Sequence, residues 1–232
     1  MVNQRFKNAA LTELSEKIVE YSEQLAKGEK LKVCISKGNQ KIGVVYNVSL
    51  APVITCHVNA KYCADYCYDI KYLRYSVVLN ARARNTAIMF YNMDEYFNQT
   101  RAKLARVRKH KYFRWHVGGE IYNEKYFAKM VETAKLFPDW RFWCYTKQYN
   151  IVKAYILQHG ADYIPENFSI MFSEWRGLKM SNYLNFPVFS VVFKDEQKPT
   201  GFYCPGSCSV CLANKTGCPY AKKNDIIYVN EH

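Results

Sequence analysis

Nowhere does this 232-residue chain hold an uncharged apolar run approaching the length that spans a bilayer, and residues 1–17 lack the unbroken apolar core of an export signal. No internal repeat and no long low-complexity linker breaks the sequence. A membrane-spanning or exported protein is therefore not expected, and the cytoplasm is the expected location. An even cysteine count is also missing. Nine cysteines in a long chain without an export signal argue against a disulfide framework and for thiolates that bind metal.

What is present is an ordinary globular balance, with 49% apolar residues, and enough length to bury a substantial core. The expected organisation is an N-terminal helix over residues 1–30, a core over 31–195, and a small cysteine-rich metal-binding appendage over 196–232. Positive charge outweighs negative, at a formal +13. Its densest stretch runs from Arg101 through Arg106, Arg108 and Lys109 to Lys111, followed by Arg114. Such a field attracts nucleic acid or another polyanion, although a solvated helix face with a basic loop has the same composition.

Apolar periodicity gives the coarse architecture. Leu11, Leu14, Ile18, Tyr21 and Leu25 fall at helical spacing before a stop at Gly28. Residues 32–36 and 41–50 read as two short strands about Gly38-Asn39. A helical region over about 70–107 is interrupted near Asn92-Met93-Asp94, where the aspartate is a candidate cap. Strand and helix then alternate: strand 112–117, a helix capped by Asn123 and ending near Phe137, strand 141–146, a helix over about 150–158 stopped by Gly160, and strands at 168–172 and 187–193. Alternation of this kind predicts an α/β fold, a parallel sheet or partial (β/α) barrel. Ligands gather at the C-terminal ends of such strands, here the first cysteine group, Gly118-Gly119-Glu120, Tyr145-Thr146-Lys147 and Ser173-Glu174-Trp175.

Seven cysteines form two groups, while Cys34 and Cys144 stand alone in apolar runs and read as core residues. Cys56, Cys63 and Cys67 have the spacing C-x6-C-x3-C. Three thiolates hold three corners of a four-iron, four-sulfur (4Fe-4S) cluster and leave the fourth iron open to chemistry. Zinc completed by His57 or a distant residue is the alternative. Cys204, Cys208, Cys211 and Cys218 follow C-x3-C-x2-C-x6-C, a strong metal signature that names no metal. A closed site there is structural or electron-transferring, either zinc or a second iron–sulfur cluster.

Two resemblances bear on function. The strings from Phe113 to Asn123 and from Phe142 to Lys147, with the cysteine-rich end closing on Asn230-Glu231-His232, resemble the phage "gene product eighty-eight" family from about Asn47 onward. More distantly, a three-cysteine loop with an aromatic beside its last cysteine, followed by a helix and a strand ending in Gly-Gly-Glu, resembles the radical S-adenosylmethionine enzymes. That resemblance implies a 4Fe-4S cluster on Cys56, Cys63 and Cys67. It also implies S-adenosylmethionine on the open iron, Gly118, Gly119 and Glu120 at its amino group, and an electron donor as partner. Lys147 and Glu174 become candidates for touching cofactor or substrate, with surface ion pairs as their alternative role. The superfamily's usual spacing is C-x3-C-x2-C, which Cys204, Cys208 and Cys211 have and the first group has not. A non-enzymatic, metal-stapled nucleic-acid-binding protein is the other expectation, with the basic stretch on phosphates and tyrosines stacking on bases.

Overall fold

The computed structural model describes residues 2–231; His232 of the closing string lies outside the described residues. An eight-stranded sheet organises the chain in the order β1-β2-β3-β4-β5-β6-β8-β7. Its strands are β1 (Ser36–Asn39), β2 (Gly43–Val48), β3 (Tyr112–Trp115), β4 (Arg141–Thr146), β5 (Phe168–Glu174), β6 (Val188–Val192), β7 (Phe202–Tyr203) and β8 (Ile226–Asn230). The β1–β2 pair is antiparallel, and every other pairing is parallel.

Helix α1 (Gln4–Ala26) precedes the sheet, and between the strands lie α2 (Ala60–Cys63), α3 (Tyr68–Tyr72), α4 (Ser76–Tyr91), α5 (Met93–Ala105), α6 (Glu124–Leu136), α7 (Tyr149–His159) and α8 (Cys208–Asn214). No helix among the described residues is long and apolar enough to cross a membrane. The stripe on α1 buries Leu14 and Ile18 with Leu73, Leu79 and Ala83, and Asn3 caps its start by accepting from the Phe6 N–H. Asn123 caps α6 in the same way, and Gly160 ends α7 with φ 90°.

Strand alternation divides the core. Val48, Phe113, Trp115, Phe142, Cys144, Phe168, Ile170 and Phe172 face the large helical layer. Val45, Trp143, Met171 and Ile227 face the opposite, inner side, where Leu212 and Cys218 pack on them. The cysteine-rich end is thus joined to the body rather than appended to it. Its strands β7 and β8 complete the sheet, and α8 lies on the inner face.

Three local expectations are corrected. Residues 32–35 are not a strand: the Cys34 N–H and C=O are taken by the Asn85 side chain, at 2.7 and 3.0 Å, and the Val33 N–H by Gln99. Cys34 is accordingly partly exposed, not core, while Cys144 is fully buried. The hairpin turn lies beyond Gly38-Asn39, because the Asn39 side chain accepts from the Lys41 and Ile42 N–H groups and so places the turn after itself. At the α4–α5 break Asn92, not Asp94, is the cap, accepting from the Glu95 N–H.

Candidate metal centres and the sheet edge

The first cysteine group leaves the end of β2 through a strained turn. Val53 has φ 66° and sits beneath an Ile54 N–H to Pro52 C=O bond of 2.8 Å, a γ-turn that a β-branched residue rarely adopts. Cys56 precedes a 3-10 turn (His57–Asn59), Cys63 ends α2 and Cys67 precedes α3. Asn59 donates to the Lys147 carbonyl at 2.8 Å, and Gln148 donates to the Cys56 carbonyl at 2.9 Å. These bonds tie the loop to the end of β4.

Gly118 is required by contact, and Gly119 by contact and conformation. A Cβ on Gly118 would stand 1.6 Å from Asp69 Oδ2, and one on Gly119, whose φ is 81°, would stand 2.7 Å from Leu50 Cβ and 2.8 Å from Thr55 Oγ1. The turn after β3 is therefore held between the start of the cysteine loop, at Leu50 and Thr55, and its end, at Asp69. Arg82 clamps Asp69 with bonds of 3.0 and 2.9 Å.

Glu120 is buried with its carboxylate accepting from the Ile121 and Lys147 N–H groups, at 2.8 and 2.7 Å. Burial raises its pKa, and those backbone bonds offset part of the rise. The three thiols are within electrostatic reach of one another, and Glu120 reaches Cys56 and Cys63. Burial pushes all three thiol pKa values up, Cys67 to about 11. Lys147 Nζ donates to Ser173 Oγ at 3.1 Å, beside the Trp175 ring. Glu174 is exposed at the end of β5 and accepts from Ser190 at 2.6 Å. His57 Nε2 lies 2.6 Å from the Tyr122 carbonyl, which fixes the proton on Nε2 and leaves Nδ1 as the nitrogen free to ligate.

The second group lies against the inner face. The Cys208 N–H bonds the Lys41 carbonyl at 3.3 Å, the Cys204 N–H bonds the Tyr228 carbonyl at 2.8 Å, and Cys218 opens a 3-10 turn (Cys218–Tyr220) stiffened by Pro219. Gly217, with φ 65°, brings its backbone so close to Cys211 that a Cβ would lie 2.7 Å from that sulfur. Cys204 and Cys208 act electrostatically on both Cys211 and Cys218, so the four side chains share one neighbourhood. Burial raises the Cys218 thiol to about 12. Among the described residues no three His, Cys, Asp or Glu side chains converge closely enough to hold a metal ion as they stand.

The basic stretch is divided. Arg101 pairs with Glu132 at 2.9 Å, Lys111 pairs with Asp139, and Arg114 is turned onto the inner face beneath Tyr145. The expectation that Arg114 extends the basic surface is corrected: alternation with Phe113 and Trp115, which face the helices, sends its side chain to the other side of the sheet. Lys103, Arg106, Arg108 and Lys109 remain exposed.

Comparison with known families resolves the lineage. The family model for Gene product 88 matches residues 14–203. The chain belongs to the Gene product 88 family. The match begins well before Asn47 and ends ahead of Cys204, so the first cysteine group, Gly118-Gly119-Glu120, Lys147 and Glu174 fall inside it and the second cysteine group falls outside. No curated protein and no solved structure matches the chain.

Proposed function

We propose that this Gene product 88 family member is an iron–sulfur protein, a radical S-adenosylmethionine-like enzyme with an open site at Cys56, Cys63 and Cys67. A closed metal site at Cys204, Cys208, Cys211 and Cys218 accompanies it. One observation supports this reading: β2, β3, β4, β5, β6 and β8 run parallel and side by side in chain order, an order that a partial barrel would share. The three-cysteine loop, Gly118-Gly119-Glu120, Lys147 and Ser173-Glu174 occupy successive C-terminal strand ends.

The donor sets match the proposed groups in number and residue type, and the thiols would have to draw closer to bind them. Three thiols leave a cluster iron free, whereas four close a site. A 4Fe-4S cluster on the first set, with S-adenosylmethionine on its open iron, supplies one-electron reductive cleavage of the sulfonium and hydrogen abstraction from substrate. The chain's part is binding and orientation. Each Glu120 oxygen accepts one backbone N–H, and a carboxylate has about four acceptor positions, so capacity remains for the cofactor's ammonium. Lys147, anchored on Ser173, stands on the same edge to meet a carboxylate or phosphate. Anaerobic, chemically reduced protein is expected to convert S-adenosylmethionine to 5′-deoxyadenosine and methionine. Absence of cleavage by protein whose first group carries its full iron complement would overturn the enzyme reading.

A second reading rests on a separate observation. The exposed Lys103, Arg106, Arg108 and Lys109 at the end of α5 and beyond it form a surface suited to a nucleic-acid backbone. This surface adjoins the N-terminal start of β3, opposite the edge that carries the first cysteine group.

A further inference from the structure

A cleft of about 380 Å³ opens between the N-terminal ends of β3 and β4, at the other end of the sheet from the first cysteine group. His110, Tyr112, Trp140, Arg141, Asn167 and Tyr220 line it. Its walls are set by local bonds. His110 takes a left-handed backbone, φ 55°, and its carbonyl accepts from the Tyr112 N–H at 2.8 Å, so the basic loop after α5 turns sharply into β3. The facing lip is pinned by the Asn167 amide, which donates to the Ala134, Phe137 and Trp140 carbonyls at 3.0, 3.0 and 3.1 Å. The Lys111–Asp139 pair joins the two lips.

Arg141 gives the cleft its fixed charge. Its Nε donates to the Pro219 carbonyl and its Nη1 to the Glu166 carbonyl at 2.7 Å, while the guanidinium lies 4.8 Å from the centre of the Tyr220 ring. Carbonyls and a ring hold the group in place without cancelling its charge, and Nη2 bonds nothing among the described residues. Arg106, Arg108 and Lys109 lead into the cleft along the chain, and Lys222 and Lys223 follow Tyr220; all are exposed. The carboxylates at this end are Asp139, Glu166 and Asp225. Asp139 is taken by Lys111, and Asp225 accepts from the Lys222 N–H at 2.7 Å.

Basic banks around partly exposed tyrosine rings select among polyanions. A duplex meets a protein with its phosphates and keeps its bases stacked inside, whereas a single strand offers bases that stack on tyrosine and arginine planes. An acidic protein segment engages the cations and leaves the rings unused. We propose that this cleft seats one unpaired nucleotide of a single-stranded nucleic acid, with its phosphate on Arg141 and its base against Tyr112 and Tyr220, while Arg106, Arg108 and Lys109 follow the neighbouring phosphates. The inference rests on the second reading of the proposed function and deepens it, because a basic surface alone does not choose between one strand and two.

The test is fluorescence anisotropy of the full-length, reduced chain with labelled oligothymidylate of about 12 nucleotides, and with the same strand annealed to its complement, across a salt series. The single strand is expected to bind about tenfold more tightly than the duplex at equal salt. Tyr220→Leu is expected to lose about tenfold in single-strand affinity with its salt slope unchanged, because it removes a stacking surface and no phosphate contact. His110→Asp, which sets a carboxylate in the cleft on a backbone that aspartate tolerates, should weaken binding by at least as much. Equal affinity for both forms of DNA, or unchanged affinity in both folded variants, overturns the proposal and leaves the basic-surface reading standing. Displacement of the strand by polyglutamate as readily, per charge, as by unlabelled oligothymidylate also overturns it. If Tyr220→Leu does not fold, His110→Asp decides alone: a tenfold loss supports the seat and unchanged affinity overturns it. Wild-type protein that binds neither form removes the basic-surface reading and the seat with it, a result distinct from cleft variants that bind normally.

Discussion

Cys56, Cys63 and Cys67 hang on short turns at the rim of the sheet, tied by side-chain bonds from Asn59 and Gln148 and flanked by Glu120 and Lys147. Cys204, Cys208 and Cys218 instead lie against Val45, Trp143, Met171 and Ile227, with Arg114 on the ring of Tyr145, a residue of the same cluster. The rim group has polar neighbours with acceptor capacity to spare, and the inner group has an apolar floor and one fixed cation. Under the proposed function, equal cysteine density would serve unequal ends: a polar rim would suit a centre that receives ligands, and an apolar floor one that holds the fold.

The largest effect should separate the groups by stability. Cys208→Ala is expected to cost more than about 4 kcal/mol in anaerobic denaturant unfolding, as loss of a structural metal does, and Cys63→Ala about 1 kcal/mol. The reverse order would invert the assignment and make Cys204, Cys208 and Cys211 the open trio. Two glycines distinguish the groups next. Gly119→Ala and Gly217→Ala each force a Cβ into a positive-φ turn against atoms closer than 3 Å, at about 2–3 kcal/mol. Gly217→Ala should also weaken metal binding by the inner group, because its Cβ presses on the Cys211 sulfur, while Gly119→Ala should leave that binding intact.

An effect that vanishes at neutral pH is confined to the rim side. His116, bonded to Tyr126, is buried, and desolvation depresses its pKa to about 3. The unfolded chain takes up a proton near pH 6.5 that the folded chain refuses, so stability is present above that pH and falls as pH drops towards 3, by up to about 1.4 kcal/mol per unit. Unfolding of His116→Gln across this range should show a flatter profile, and an unchanged slope would move the titration elsewhere. Smallest of all, neutralising Arg106, Arg108 and Lys109 together should shift stability by less than about 0.5 kcal/mol per site and leave the metal content of both groups unchanged. If the stretch binds single-stranded nucleic acid, the slope of log affinity against log salt should shrink by about 0.7 for each phosphate that is no longer neutralised.

Sequence patterning made much of the sheet legible. The strand over 141–146 and the Asn123 cap stand where they are read, because apolar alternation and Asx capping are local. The hairpin misled because Gly38 carries a turn residue's signature while serving inside β1, where its φ is 95° and a Cβ would lie 2.0 Å from the Gly43 carbonyl. The segment at 32–35 misled because the backbone groups of Val33 and Cys34 bond helix side chains, an outcome fixed by Asn85 and Gln99 far along the chain. In the site, cysteine spacing marked both groups and chain order marked Glu120. Arg114 stayed hidden in the basic run: alternation gives its face of the strand, but nothing local says that residues 204–221 will cover that face.

Iron, acid-labile sulfide and zinc counted per chain, in wild-type and Cys63→Ala protein reconstituted anaerobically, test the division between open and closed groups most directly. The account predicts about four irons and four sulfides on the rim group of the wild type, their loss in Cys63→Ala, and retention of metal by the inner four cysteines. Stoichiometric zinc in both groups with no iron taken up would contradict it.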